Sequence, residues 1–410
     1  MAKKNKNPEV RFKGFTEDWK HLELGEVLTE RKSMQKISED APILAFASGQ
    51  GVIDRSERKS NNRDHLTLDQ ENKVYKLTEL NDIVYNPSNL KYGAIDRNKH
   101  GRGVISPIYV TFTTEEEPSF IELIVKSEKF KLRALQYEEG TVVKRQSVSP
   151  ENLLSLKVGI SSSLDEQKKI GILFERLDNL ITLHQNKYEK FMTLKKVFLK
   201  QMFPEEGSDV PKIRFKEFLG NWNVRKLSDG APKIGDGLHG TPKYVEDSGV
   251  YFINGNNLNL GTINISNETK QVSKKEMSKN DETLGPNTIL MSINGTIGNL
   301  ALYKGEKVML GKSVAYITLE SFDKTYTYAL LQSPRIRKYF INKLTGSTIK
   351  NLGLKTIRET EVLVPTMKEQ KKLGQYFLQI DSLINLHLVE LEKLKNIKKA
   401  CFAKMSVPQD

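Results

Sequence analysis

One cysteine, Cys401, is too few for an intramolecular disulfide framework or a multi-cysteine zinc site. No apolar run is long enough to span a membrane. The opening "MAKKNKNPEV" lacks the apolar centre of a signal peptide and reads as a frayed basic tail, so a cytoplasmic protein with no membrane partner is expected. Acidic charge is also in deficit, with 51 Asp and Glu against 64 Lys and Arg, for a net charge of +13 over 410 residues. That balance favours a polyanionic partner but does not separate DNA, RNA, membrane surface and simple solubility. Hydrophobic residues, at 38%, suffice for cores, and the length points to two or more domains.

The strongest feature present is an internal repeat. "EQKKIG" at Glu166 to Gly171 returns as "EQKKLG" at Glu369 to Gly374, an offset of 203. The same offset places Val10, Phe12, Phe15, Trp19 and Leu24 on Ile213, Phe215, Phe218, Trp222 and Leu227, which uses both tryptophans. It also places Asp178, Ile181, Leu183, His184, Glu189 and Lys190 on Asp381, Ile384, Leu386, His387, Glu392 and Lys393. Between these anchors the halves diverge into alternating apolar and polar stretches broken by Gly, Asn and Pro, a pattern of short strands and turns. A shared scaffold with unlike surfaces is expected.

Each half ends in a long helix. Ser163 to Glu166 and Thr366 to Glu369 are capping boxes, in which the hydroxyl accepts from the third helical N–H and the Glu reaches back. Steps of three and four run through Ile170, Leu173, Leu177, Leu180, His184, Phe191 and Leu194, and through Leu373, Tyr376, Ile380, Leu383, His387, Leu394 and Ile397. This is a coiled-coil seam with a polar centre. Pro204, Gly207 and Pro211 end the first helix and form a linker. Two copies of one unit bury a self-complementary face most simply about a pseudo-twofold axis, with their helices antiparallel. A helix of this kind spans roughly 50 to 60 Å and can hold two domains apart.

The chain resembles the specificity subunit of type I restriction-modification systems. "RFKGFTEDW" and "RFKEFLGNW" look like that family's domain openings, and "DEQKKIGILFERLD" and "KEQKKLGQYFLQID" like its helix openings. "GDGLHGTPKY" and "GSTIKNL" look like its recognition-domain signatures, which the first half carries only weakly as "GTVVKRQSV". The resemblance implies an α+β fold of two tandem mixed α/β target-recognition domains, each followed by a long helix, with the helices paired as an antiparallel coiled coil. The segments are a tail and first repeat opening at 1–20, recognition domains at 21–160 and 213–362, helices at 163–203 and 366–405, and a linker at 204–212. Each domain would read one half of a bipartite, asymmetric double-stranded DNA target. Half-sites on one face of B-DNA lie about 34 Å apart, a distance that a pair of rods can impose. The partners implied are two adenine methyltransferase subunits and, for cleavage, translocating restriction subunits. S-adenosylmethionine, ATP and Mg would be bound by those subunits, leaving this chain without a cofactor.

Amides suit adenine edges, guanidinium groups suit guanine, and lysines suit phosphate. The residues expected at DNA in the second domain are Thr241, Lys243, Asn254, Asn256, Asn257 and Asn294, with Lys312 and Lys350 on the backbone. In the first they are Asn86, Asn89, Lys91, Arg102, Lys144, Arg145 and Gln146.

Other signals fail on context. Gly235 to Gly240 satisfies G-x-G-x-x-G, but Thr241 and Pro242 follow where a helix should open. Gly311-Lys312-Ser313 lacks the upstream Gly spacing of a P-loop. Asn86-Pro87 lacks the second proline and the aromatic of an amino-methyltransferase motif. His184 and His387 alone make an incomplete zinc site and fit a polar layer that fixes helix register, so no metal is expected. The expected function is therefore recognition without chemistry. Its rivals are a stand-alone DNA-modifying enzyme and a bivalent protein scaffold.

Overall fold

The computed structural model describes residues 7–47, 49–57, 73–140, 146–277, 281 and 284–407. The chain divides into two compact units, Met1–Thr182 with Glu392–Asp410, and Leu183–Leu391. Each unit therefore holds part of both long helices, Leu164–Gln201 and Met367–Met405.

Both units carry the same frame. A two-stranded antiparallel ribbon pairs Lys20–Glu23 with Lys157–Ile160 in the first, and Asn223–Lys226 with Glu361–Val364 in the second. Lys20 faces Ile160, and Asn223 faces Val364. Each unit also has a four-stranded antiparallel sheet of one order: Thr29–Glu30, Val110–Thr113, Ile83–Tyr85, Ile95–Arg97 in the first, and Lys233–Asp236, Val314–Thr318, Thr288–Ser292, Leu300–Leu302 in the second. The strands Ile83–Tyr85 and Thr288–Ser292 are buried throughout, as interior strands of their sheets covered on both faces should be. Around them lie Phe112, Phe120 and Phe130 in one core, and Ile317, Tyr326 and Phe377 in the other. The units differ in their remaining sheets. One has Met34–Gln35, Tyr75–Thr78 and Gly103–Ile105, and the other has Tyr244–Val245, Gln271–Val272, Tyr251–Ile253 and Val308–Leu310 with its last pair parallel.

Five of the six positions of the repeated hexapeptide have a structural reason. Glu166 accepts two 2.8 Å hydrogen bonds from Arg11, and Glu369 accepts two from Arg214 at the same distance. Gln167 Oε1 accepts the Glu117 N–H at the start of helix Pro118–Val125, and Gln370 Oε1 accepts the Asp323 N–H at the start of helix Lys324–Leu330, each at 3.0 Å. Lys169 lies over the Phe15 ring and Lys372 over Phe215, at 4.7 and 4.6 Å from the ring centroids. Ile170 and Leu373 are buried. A Cβ on Gly171 would collide with Ser119 Oγ, and one on Gly374 with Thr325 Oγ1, so only glycine lets the shorter helix approach.

The capping boxes form only by half. Ser163 Oγ and Thr366 Oγ1 accept the Glu166 and Glu369 N–H groups at 3.4 Å, but neither carboxylate turns back to the helix start. A buried carboxylate gains more from a two-pronged guanidinium than from one peptide N–H, so the arginines take both.

Within each unit the long helices pack antiparallel. In Leu183–Leu391, Phe198 meets Tyr376, Lys195 meets Asp381, and Phe191 stacks on His387 with ring centroids 5.6 Å apart. His184 Nδ1 lies 3.2 Å from His387 Nδ1, so one ring donates and the other accepts. In the other unit, Phe174 meets Phe402, and Lys398 donates to Asp178. Ile170, Leu177, Leu373 and Ile380 are buried, and Leu173, Phe191, Leu194, Tyr376 and Leu394 are half-buried. Three expected seam residues are instead exposed: Leu180, Leu383 and Ile397, at 43%, 38% and 39%. Their next neighbours Ile181, Ile384 and Lys398 are more buried and take the inward positions. A helix turns every 3.6 residues rather than 3.5, so at these places a step of four, not three, returns to the inward face.

Candidate nucleic-acid interface

In the unit Leu183–Leu391, five loops far apart in sequence are stitched into one surface. Leu238 N–H donates to Leu310 O at 2.7 Å, and Lys312 N–H donates to Leu238 O at 2.8 Å. Ser313 Oγ donates to Asn254 Oδ1 at 3.1 Å and accepts the Gly255 N–H at 2.9 Å. Ile293 N–H donates to Ser313 O, and Leu352 N–H to Ile293 O, both at 2.9 Å. A side chain on Gly311 would crowd Asn254 Oδ1 at 2.5 Å, so this residue must be small where the loops converge.

The geometry sorts the expected DNA contacts. Thr241, Lys243 and Lys312 are exposed, and their side-chain polar groups have no partner among the described residues. Asn256 is exposed, with only its Oδ1 touched, by Thr296 at 3.5 Å. Asn257 uses both ends of its amide inside the turn, accepting from Asn254 N–H and donating to Asn264 O, each at 3.0 Å. Asn254 keeps its Nδ2 open, while Asn294 donates to Lys312 O at 3.4 Å and Lys350 Nζ donates to Gly346 O at 2.9 Å. Thr296 and Ser313 were missed from sequence because their part is played by partners 40 and 59 residues away.

In the other unit one expected contact is corrected. Asn86 is 3% exposed, and its Oδ1 accepts the Ser88 N–H at 3.1 Å, capping the 3-10 turn Pro87–Tyr92. Arg102 is 43% exposed and meets Glu79 at 2.5 Å, Gln35 at 3.2 Å and Asp40 at 3.4 Å. Asn89 is exposed on that 3-10 turn, and Lys91 lies 5.6 Å from the Tyr92 ring centroid. Gln146 donates to Gly140 O at 3.4 Å, beside the strand Ser147–Val148 that packs on the turn. Lys144 and Arg145 lie outside the described residues.

Among the described residues no group of three or more His, Cys, Asp or Glu side chains is arranged to hold a metal ion. Nor is any helix among the described residues long and apolar enough to cross a membrane.

Frame and loops define a duplicated protein: one architecture used twice, carrying unlike polar loop surfaces. Residues 220–396 match the family described as the type I restriction modification DNA specificity domain. The type I restriction enzyme MjaVIII specificity subunit of Methanocaldococcus jannaschii is 24% identical over 249 residues, covering 58% of this chain and 58% of that protein. The EcoBI specificity subunit of Escherichia coli is 23% identical over 277 residues, covering 63% and 55%. The chain thus spans little more than half the length of the curated relatives it matches. The crystal structure of the type I restriction-modification S subunit from M. genitalium shares the fold, with a TM-score of 0.67 at 14% identity over 98% of this chain and 100% of that one. Residues 220–396 are thus similar to a type I restriction modification DNA specificity domain, and the chain shares the fold of a type I S subunit.

Proposed function

We propose that this protein is the DNA sequence-recognition subunit of a type I restriction-modification complex and carries no chemistry of its own. Each unit reads one half of a bipartite, asymmetric double-stranded target. Two adenine methyltransferase subunits are positioned by the chain, and restriction subunits join for cleavage. S-adenosylmethionine, ATP and Mg belong to those partners, and the complex works in the cytoplasm.

The observation that carries this reading is the stitched loop surface of Leu183–Leu391, with Thr241, Lys243, Asn256 and Lys312 turned outward in a chain of net charge +13. Rigid loops that present amides and ammonium groups together supply base readout and phosphate contact from one face. The differing sheets of the two units account for unlike half-sites.

The test is to express the chain with its methyltransferase partner and map methylated adenines in host DNA by long-read sequencing. A two-part motif with a fixed gap is the expected result. One uninterrupted motif, or methylation of DNA by the isolated chain, would overturn the reading.

A further inference from the structure

The loop following strand Lys233–Asp236 carries a histidine, His239. The His239 side chain is 73% exposed, and its Nε2 lies 2.8 Å from Asp236 Oδ2. An ionised carboxylate only accepts hydrogen bonds, so the proton between them sits on Nε2. The neutral ring must then present Nδ1 as an unprotonated acceptor, and nothing among the described residues bonds it.

Asp236 holds the ring, and the backbone on either side of it is fixed in turn. Asp236 is paired in the sheet opposite Ala315. Leu238, immediately before the histidine, is bonded through its N–H to Leu310 and through its carbonyl to Lys312. Gly237 passes so close to the Leu310 carbonyl that any Cβ there would collide with it, and Pro242 is buried on the far side of the loop. Lys312, bonded to Leu238, stands on the same stitched surface, and the exposed Thr241 and Lys243 follow along the same loop. A fixed polar atom on a rigid loop is what base discrimination needs, because a mobile one adapts to any edge.

We propose that His239, oriented by Asp236, is a base-reading residue of this unit, and that its Nδ1 accepts a hydrogen bond from an exocyclic amino group in the major groove. Only adenine N6 and cytosine N4 offer such donors there, whereas guanine and thymine turn carbonyl oxygens to the same place. His239 thus separates amino from keto bases at one position, and Asp236 is a positioning residue that sets which ring nitrogen carries the proton. This proposal rests on the DNA-recognition reading above.

The experiment compares the methylation motif of the whole complex carrying the native chain, His239→Ala or Asp236→Asn, with the melting temperature of each chain measured in parallel. An asparagine at 236 can donate its amide N–H to Nε2, which moves the ring proton to Nδ1 and makes it a donor. His239→Ala is expected to lose about tenfold discrimination at one position of one half-site. Asp236→Asn should shift that same position toward guanine or thymine, with the other half-site unchanged and melting unaltered. Weaker methylation with the motif intact, or no change in either variant, overturns the role of His239. A native complex that shows no motif at all overturns the parent reading, and this one with it.

Discussion

Glu166 is fully buried, and its charge is matched by Arg11, the Trp19 Nε1–H at 3.0 Å and the Ser161 hydroxyl. Burial alone would push this carboxyl up, but hydrogen bonds from Arg11, Ser161 and Trp19 hold it below the usual carboxylate range. A carboxyl lowered in the folded state contributes stability that is complete above its unfolded value, about 4.3, and is lost as pH falls through the folded value. Glu166→Gln should therefore destabilise the protein at neutral pH by about 3 kcal/mol and flatten the acid limb of the stability profile. Urea midpoints measured from neutral pH down through the carboxylate range check this, and parallel profiles for the two proteins would refute it. At the loop surface, Lys312→Ala removes an exposed ammonium whose proposed role is a phosphate contact. Its DNA affinity should fall for all sequences alike, and the slope of log affinity against log salt should shrink by about one. An unchanged slope would take Lys312 off the DNA.

At the scale of the element, the long helices make one cross-link twice with different consequences. Lys195 lies 2.6 Å from Asp381 with both side chains about nine-tenths buried, at 9% and 10% exposure. The equivalent pair, Lys398 and Asp178, is 35% and 46% exposed. Burial pushes the Asp381 carboxyl up even beside Lys195, and the contact is an ion pair without an aligned hydrogen bond. Removing Lys195 would strand a buried acid, whereas removing Lys398 would leave Asp178 to water. Lys195→Ala is accordingly expected to cost about 3–5 kcal/mol, and Lys398→Ala less than about 1 kcal/mol. Chemical denaturation of the two variants decides the matter, and equal costs would show that burial does not govern the pair. The helix pairing was legible because both helices repeat their starts and their periodicity. Which of Leu180 or Ile181 faced inward was not, since adjacent residues on a helix differ by 100° and both are apolar.

For the whole molecule, the proposed division of labour predicts that exchanging residues 213–362 for the matching segment of a relative would change one half of the methylation motif and leave the other. A change in both halves, seen by long-read mapping, would mean that the units do not read independently. The duplicated frame was determined by the sequence itself. A buried Glu opposite Arg, a Gln at the start of a neighbouring helix and a glycine at a close approach are needs so specific that they recur at one offset. Which amides are open for recognition was decided only by the tertiary structure. Asn86, Asn256 and Asn257 all sit in turns and read alike in sequence, yet Asn86 is buried as a cap and Asn257 has both amide ends engaged. Asn256 keeps its Nδ2 open, because Thr296, 40 residues along the chain, reaches only its oxygen. A hydrogen bond satisfied across the fold leaves no trace in local sequence, and it alone separates a residue that holds a loop from one that the loop presents.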